Sequence, residues 1–287
     1  MSQSFRIACL QMQTGNDLQA NLAEVRKMAR AAAAGGGRFI MTPEYVLMMD
    51  GSGRVMRERA LSAGGEPALP ELQSLARELK VWVLAGSLTL NTDDGRIANR
   101  SFLLSDRGGI VATYDKIHMF DVTLPDGRVI RESSAYRPGD RAVVADTPWG
   151  RLGLTVCYDL RFPGLYRALA LAGAQFITVP SSFQRQTGRV HWHTLVRARA
   201  IENGCFIFAP AMCGEHPGNR QTYGHTLVVD PWGEVLVDGG ESPGIVYAEI
   251  DPEAVMRARS MIPSLEHDRP FNPPATARAS REPETRD

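Results

Sequence analysis

Little in the bulk chemistry of this sequence marks it out, and each scarcity removes a class of function. Neither charge is in excess: 32 lysines and arginines face 32 aspartates and glutamates. A chain with no basic balance offers no general argument for nucleic acid or an anionic membrane as partner. No uncharged apolar run approaches the ~20 residues that a membrane-spanning helix needs. The opening "MSQSFRIACLQMQ" lacks a basic leader followed by an apolar core, so a cytoplasmic protein is expected. Cysteine is scarce, four in 287 residues, and no CxxC pair occurs. That removes the zinc-ribbon, thioredoxin-like and disulfide-scaffold readings. Cys9 and Cys205 sit inside apolar strand-like runs, where a free thiol packs as a small hydrophobe. Cys213, in "CGEHPG", falls in a stretch that reads as a loop. The run Gly35-Gly36-Gly37 follows a helix-like segment, so it reads as a cap and loop rather than a phosphate cradle.

What is present is core material, 44% hydrophobic residues, in a regular alternation of helical and strand patterns. "LQANLAEVRKMARAAAA" has apolar residues at helical spacing and leads through the glycines into "RFIMTPE", a short β-rich run closed by proline. The same unit returns in "YRALALAGAQFITVPS", ending at Pro180, and in "LVRARAIENGCFIFAPA", ending at Pro210. Proline cannot donate to a sheet ladder, so each marks where a strand leaves its sheet. Between these units, "VWVLAGSLTL", "ANRSFLLSDRGGIVATYDK" and "TLVVDPWGEVLVDGG" alternate around turn residues as hairpins do. The tripeptide "PWG", at 148–150 and 231–233, reads as two hairpin turns with no chemistry attached. Helix–strand units plus hairpins imply an α/β fold with mixed sheets, helices covering two packed sheets. One domain is expected over residues 1–270, followed by an extended or disordered tail over 271–287, "NPPATARASREPETRD" being polar and rich in proline.

Three reactive side chains fall at expected strand ends. Glu44 follows Pro43, Lys116 follows "IVATYD", and Cys157 follows "GLTV". Ligands of α/β folds bind at the carboxyl ends of strands, so the three converge if their strands share a direction. A cysteine at a sharp strand-to-helix turn is exposed like the serine of a nucleophile elbow, and Phe162-Pro163 suits a helix start just beyond. The chemistry of such a trio is coherent. A lysine cation favours thiolate, the attacking form of cysteine. A carboxylate takes the thiol proton, passes it to a leaving amine and then activates water. Lys116 and the backbone N–H of Tyr158 would hold the developing oxyanion. The rival base is His118, two residues after the lysine. His191 and His193 are two apart and so face different sides of a helix, which suits no metal site; His193 is read as lining a pocket or packing, and His225 as a core histidine.

Together "FIMTPEYV", "YDKIHMFDV" and "GLTVCYDLRFPGLYRALALAGA" resemble the three signature blocks of the nitrilase, or carbon–nitrogen hydrolase, superfamily, from about Phe5 to about Pro270. The resemblance implies a four-layer α-β-β-α sandwich, a homodimer or higher homo-oligomer, and a Glu–Lys–Cys triad carried by Glu44, Lys116 and Cys157. It also implies a supporting glutamate, whose place Glu132 takes. "CYDLRFP", "RARAIENGCF" and "YGHTLVVDPWGEV" look most like its Nit-type amidases. That branch implies hydrolysis of a small anionic amide through a thioester. Deaminated glutathione is the first candidate, with 2-oxoglutaramate or an N-carbamoyl amino acid as alternatives. His193 stands where the family usually has glutamate. Asp159 is expected to make an ion pair, with Arg161 as its partner; alternatively Arg161 holds a substrate carboxylate. Arg128, Arg131, Arg161, Arg185 and Arg189 crowd the motif regions, which favours an anionic substrate. The trio leaves no step for a metal or organic cofactor, so none is expected.

Overall fold

The computed structural model describes residues 4–272 and 274. The tail expected over 271–287 therefore lies almost wholly outside the described residues. The first half of the chain runs β1 (Phe5–Gln11), α1 (Leu18–Ala34), β2 (Phe39–Met41), α2 (Gly53–Glu58), α3 (Ala68–Leu79), β3 (Trp82–Asn91), β4 (Ile97–Leu104) and β5 (Ile110–Asp115). A small hairpin, β6 (Asp121–Thr123) and β7 (Val129–Arg131), follows. The second half runs β8 (Val143–Thr147), β9 (Gly150–Leu154), α4 (Pro163–Leu171), β10 (Phe176–Thr178), α5 (Arg185–Asn203) and β11 (Phe206–Ala209). Then come the hairpin β12 (Cys213–His216) and β13 (Arg220–Tyr223), and β14 (Leu227–Val229), β15 (Val235–Asp238), β16 (Gly244–Ile250) and α6 (Glu253–Met261).

The strands make two six-stranded mixed sheets, ordered β16-β1-β2-β3-β4-β5 and β15-β14-β11-β10-β9-β8. Each has three parallel strands at its centre, β1-β2-β3 in one and β11-β10-β9 in the other. Parallel neighbours need a crossover, and the helix–strand–proline units supply it: α1 before β2, α4 before β10, α5 before β11. Both "PWG" turns join antiparallel strands, β8 to β9 and β14 to β15.

Alternation along the strands separates the layers. In the first sheet Phe5, Ile7, Cys9, Phe39, Met41, Leu84 and Leu103 pack with Leu152, Leu154, Phe176 and Phe208 of the second sheet. Their neighbours Ala8, Leu10, Ile40, Val83 and Leu104 face the other way, with Leu22, Val25 and Ala32 of α1 and Leu72 and Leu75 of α3. Side chains alternate faces every residue, so each strand of the first sheet serves two cores. On the second sheet, Tyr166 and Leu169 of α4 and Trp192, Val196 and Ala200 of α5 complete the stack. The order is helix, sheet, sheet, helix.

Helix α1 shows how locally these elements are specified. Asp17 caps it, its carboxylate accepting from Gln19 N at 2.9 Å and Ala20 N at 3.0 Å. Its buried stripe is Leu22, Val25, Met28, Ala29 and Ala32, and Gly35 closes it. Cys213, read as a loop residue, instead opens β12 and is buried. The polar residues around it hid a strand paired through Cys213–Tyr223.

A candidate active site where two sheets meet

The middle strands of the two sheets end side by side, and Gly86 shows how closely. A Cβ on Gly86 would lie 2.0 Å from the Thr42 carbonyl oxygen, 2.5 Å from that of Pro43 and 2.7 Å from the Pro180 side chain. Only glycine permits the exit of β2 to press on the exit of β10. Cys157 hangs on the same junction: its amide donates to the Pro180 carbonyl at 3.0 Å. The chain turns there from β9 into a short 3₁₀ turn, Cys157–Arg161, and then into α4. Cys157 has a φ of 47°, which side-chain-bearing residues rarely adopt. Strain of this kind persists where the surroundings over-determine it, and here it fits the nucleophile-elbow reading.

Glu44, Lys116 and Cys157 all line one cavity of about 310 Å³. Lys116 Nζ donates to Glu44 Oε1 at 3.1 Å and to both Glu132 oxygens at 2.9 Å. Glu44 accepts from four donors: Asn99 Nδ2 and Lys116 on Oε1, Ser182 N and Oγ on Oε2 at 2.9 and 2.6 Å. Glu132 is held by the Tyr45 hydroxyl at 2.8 Å and by the Phe120 amide. The cation and both carboxylates are nearly sealed from solvent, at 2%, 1% and 7% side-chain exposure for Lys116, Glu44 and Glu132.

The charge states follow. Burial pushes the Glu44 carboxyl up, but Lys116, the Ser182 hydrogen bond, Arg220 and the Cys157 thiol together bring it below the ordinary value. Burial pulls Lys116 down, yet the Glu132 and Glu44 charges raise it well above its usual range. Cys157 goes the other way. Burial raises its thiol, the Glu44 charge raises it further, and Lys116 only partly opposes them. The resting site is therefore a carboxylate, an ammonium and a neutral thiol. Lys116 favours the thiolate as expected, but burial and the Glu44 charge outweigh it. The proton must leave sulfur during attack, and Glu44 is the group placed to take it.

The remaining expected residues divide. Glu132 and Tyr158 line the cavity; Arg161 and His193 are not among its lining residues. The Asp159–Arg161 ion pair does not form. Asp159 turns inward, fully buried, and accepts from Val156 N at 2.9 Å, the Tyr114 hydroxyl at 2.7 Å and His118 N at 3.0 Å, with His118 Nδ1 at 2.7 Å. It thereby pins the turn that carries Cys157. Arg161 lies over the rings of Tyr158 and Phe183, 5.9 and 5.3 Å from their centroids, with its Nη2 3.3 Å from His191 Nδ1. His118, the rival base, is spent on Asp159 and stacks on Phe162 at 3.5 Å, outside the cavity lining. Of the arginine cluster only Arg131 lines the cavity; Arg128 pairs with Asp126, and Arg185 lies 3.8 Å from Glu215.

His193 meets His225 and Asp238, their ligand atoms all within 4.8 Å of one another. Both imidazoles already lie against the Asp238 carboxylate, His193 Nε2 at 3.0 Å and His225 Nδ1 at 2.9 Å, so the group is satisfied as a hydrogen-bonded cluster. Sequence reasoning missed Asn99, Ser182 and Arg220. Ser182 had a weak signal, lying two residues after Pro180 at the exit of β10. Asn99, inside β4, and Arg220, on a short polar hairpin, had none.

A sheet-over-sheet stack whose strand ends bring glutamate, lysine and cysteine to one cavity has the parts a thiol-dependent hydrolase needs. Comparison with known proteins agrees: the carbon-nitrogen hydrolase family pattern matches residues 6–260, and the chain belongs to that family. It is 40% identical over 267 residues to the deaminated glutathione amidase of Yersinia enterocolitica, covering 92% of each chain. Among solved structures it resembles the NitFhit protein of C. elegans, with a TM-score of 0.88 and 35% identity over 93% of this chain and 66% of that one. It also resembles Nit3 of Saccharomyces cerevisiae, described as a member of branch 10 of the nitrilase superfamily, with a TM-score of 0.82 and 29% identity over 92% and 96%. The protein is an amidase of the nitrilase superfamily.

Proposed function

We propose that Cys157 is the nucleophile of this amidase, Glu44 its proton carrier and Lys116 its electrophilic partner, and that the substrate is deaminated glutathione. The meeting of a neutral thiol, a carboxylate and an ammonium in one small cavity supports the roles. The name of the Yersinia relative supports the substrate. Cys157 sulfur bonds to the amide carbon as its proton passes to Glu44. Lys116 and the Tyr158 amide stabilise the oxyanion, a type of contact whose loss costs ~10²–10³ in kcat. Collapse breaks the C–N bond, Glu44 returns the proton to the leaving amine, and a thioester remains. Glu44 then deprotonates water, which attacks the thioester and regenerates the thiol. Glu132, with both oxygens 2.9 Å from Nζ, helps hold Lys116 in place. No step requires a metal or an organic cofactor.

Deaminated glutathione should yield 2-oxoglutarate and cysteinylglycine without ammonia. The test is kcat/KM for deaminated glutathione against 2-oxoglutaramate, with Cys157→Ala as control. A folded Cys157→Ala protein with unchanged turnover refutes the mechanism, and a preference for 2-oxoglutaramate refutes the substrate.

The same reading includes self-association. Leu171 on α4, Val190 and Ile201 on α5, and Trp232 in the second "PWG" turn are 57%, 70%, 53% and 55% exposed. Large apolar groups at such exposure on neighbouring elements suit a contact with a second copy. Among the described residues no helix is long and apolar enough to cross a membrane.

A further inference from the structure

We propose that Arg220 is the residue that recognises a substrate carboxylate, which makes the cavity selective for amides that carry an anion. The proposal rests on the amidase reading of the site. Arg220 stands on β13 and lines the cavity with Glu44, Lys116 and Cys157. Its Nη2 donates to the Ser182 carbonyl at 2.9 Å and to the Ser182 hydroxyl at 3.1 Å. Its Nε is buried and has no hydrogen-bond partner. Among the described residues no carboxylate oxygen lies within 4.0 Å of its guanidinium. The other cavity cations differ. Lys116 is shared by two carboxylates, and Arg131 is exposed and donates to the Ile130 carbonyl. Arg220 is thus a cavity cation with a donor left over and no carboxylate in direct contact, although Glu44 and Asp50 line the same cavity.

Guanidinium offers five N–H donors in a planar fork that matches a carboxylate. Ser182 occupies only Nη2, so nitrogens remain for charge-assisted bonds to an anion. Nη1, which makes no hydrogen bond and is not sealed as Nε is, is the donor a substrate carboxylate would meet; a neutral amide offers it no charged partner, and sites built this way discriminate between the two. The place is also right for a short substrate. Arg220 reaches Glu44 through one hydroxyl, Nη2 to Ser182 Oγ at 3.1 Å and Ser182 Oγ to Glu44 Oε2 at 2.6 Å. A carboxylate on Arg220 therefore lies only a few bonds from a carbon under attack by Cys157.

The rival role is positional: Arg220 would act only by fixing Ser182, and through it Glu44. Wild type and Arg220→Gln should be compared on three amides. Glutaric acid monoamide carries a carboxylate in its acyl part, butyrylglycine carries one on the amine side, and butyramide carries none. Recognition predicts that kcat/KM falls about 10²-fold further for at least one of the two acids than for butyramide, whose own loss reads the support Arg220 gives Glu44 through Ser182. Whichever acid is affected tells which side of the substrate Arg220 holds. Equal losses on all three, or no loss, overturn the proposal. A second measurement needs no turnover. Glutarate titrated calorimetrically into folded Cys157→Ala protein should bind, and binding should vanish in the Cys157→Ala/Arg220→Gln double variant. Equal binding to both also overturns it. A wild-type protein that hydrolyses none of the three amides counts against the amidase reading instead, and the glutarate titration still decides for Arg220.

Discussion

At the scale of single residues, the site is a balance of buried charge. Lys116 is held between Glu44 and Glu132, and all three are removed from water. Breaking such a set by deleting its cation leaves uncompensated buried charge, at about 3–5 kcal/mol. Lys116→Met should therefore abolish turnover and also lower the denaturation midpoint sharply. Adding Glu132→Gln, which removes one of the stranded charges, should recover part of the stability and none of the activity. Urea unfolding of the single and double variants reads this directly; a Lys116→Met protein as stable as wild type contradicts it. Glu44, Lys116 and Cys157 were legible in the sequence because each immediately follows a strand pattern. The state of the thiol was not. It depends on Glu44, remote in sequence and adjacent in space, whose charge with burial overrides the lysine.

At the scale of elements, the β12–β13 hairpin carries Arg220 and is braced by His216. The His216 ring is buried, with Nδ1 2.8 Å from the Thr14 carbonyl and Nε2 2.7 Å from the Thr222 hydroxyl. A carbonyl only accepts, so Nδ1 bears the hydrogen and Nε2 accepts from Thr222. Burial, with Arg220 and Arg185 nearby, pulls its pKa from 6.5 down to about 4. Below 6.5 the unfolded chain binds a proton that the folded one refuses. The neutral ring's contribution is thus complete above pH 6.5 and is lost as pH falls toward about 4, by an amount of order 3 kcal/mol. Unfolding free energies between pH 7.5 and 4.5 should show this slope, and His216→Gln should flatten it; an unchanged slope removes His216 as its source. Turns were legible as elements but their burial was not. Both "PWG" tripeptides close hairpins, yet Trp149 is 8% exposed and Trp232 is 55% exposed. Trp149 stacks on Phe5 at 4.3 Å and lies near Phe39 and Trp82. That makes it part of the packing between the sheets.

At the scale of the whole molecule, this difference predicts two outcomes from one substitution. Trp149→Ala should cost about 3–5 kcal/mol of folding stability, since it empties core space that neighbours refill only in part. Trp232→Ala should leave the unfolding of the individual chain nearly unchanged and weaken self-association. Chemical denaturation and light scattering separate the two. A purely monomeric wild type of about 31.5 kDa at micromolar concentration removes the association claim.

The sequence by itself determined the local units: the capped helix α1, the helix–strand–proline repeats, the hairpin turns, and reactive residues at strand ends. These follow from short-range physics, the side-chain period, proline's missing donor and the preferences of turns. Its resemblance to a known superfamily supplied the sandwich and Glu132. Only the tertiary structure decided which partners meet. It sent Asp159 to Tyr114, Val156 and His118 rather than to Arg161, and kept Arg161 and His193 off the cavity lining. It gave the cavity Ser182 and Arg220. Such pairings depend on how two sheets abut at Gly86, between segments far apart in the chain, and no local period or spacing encodes them.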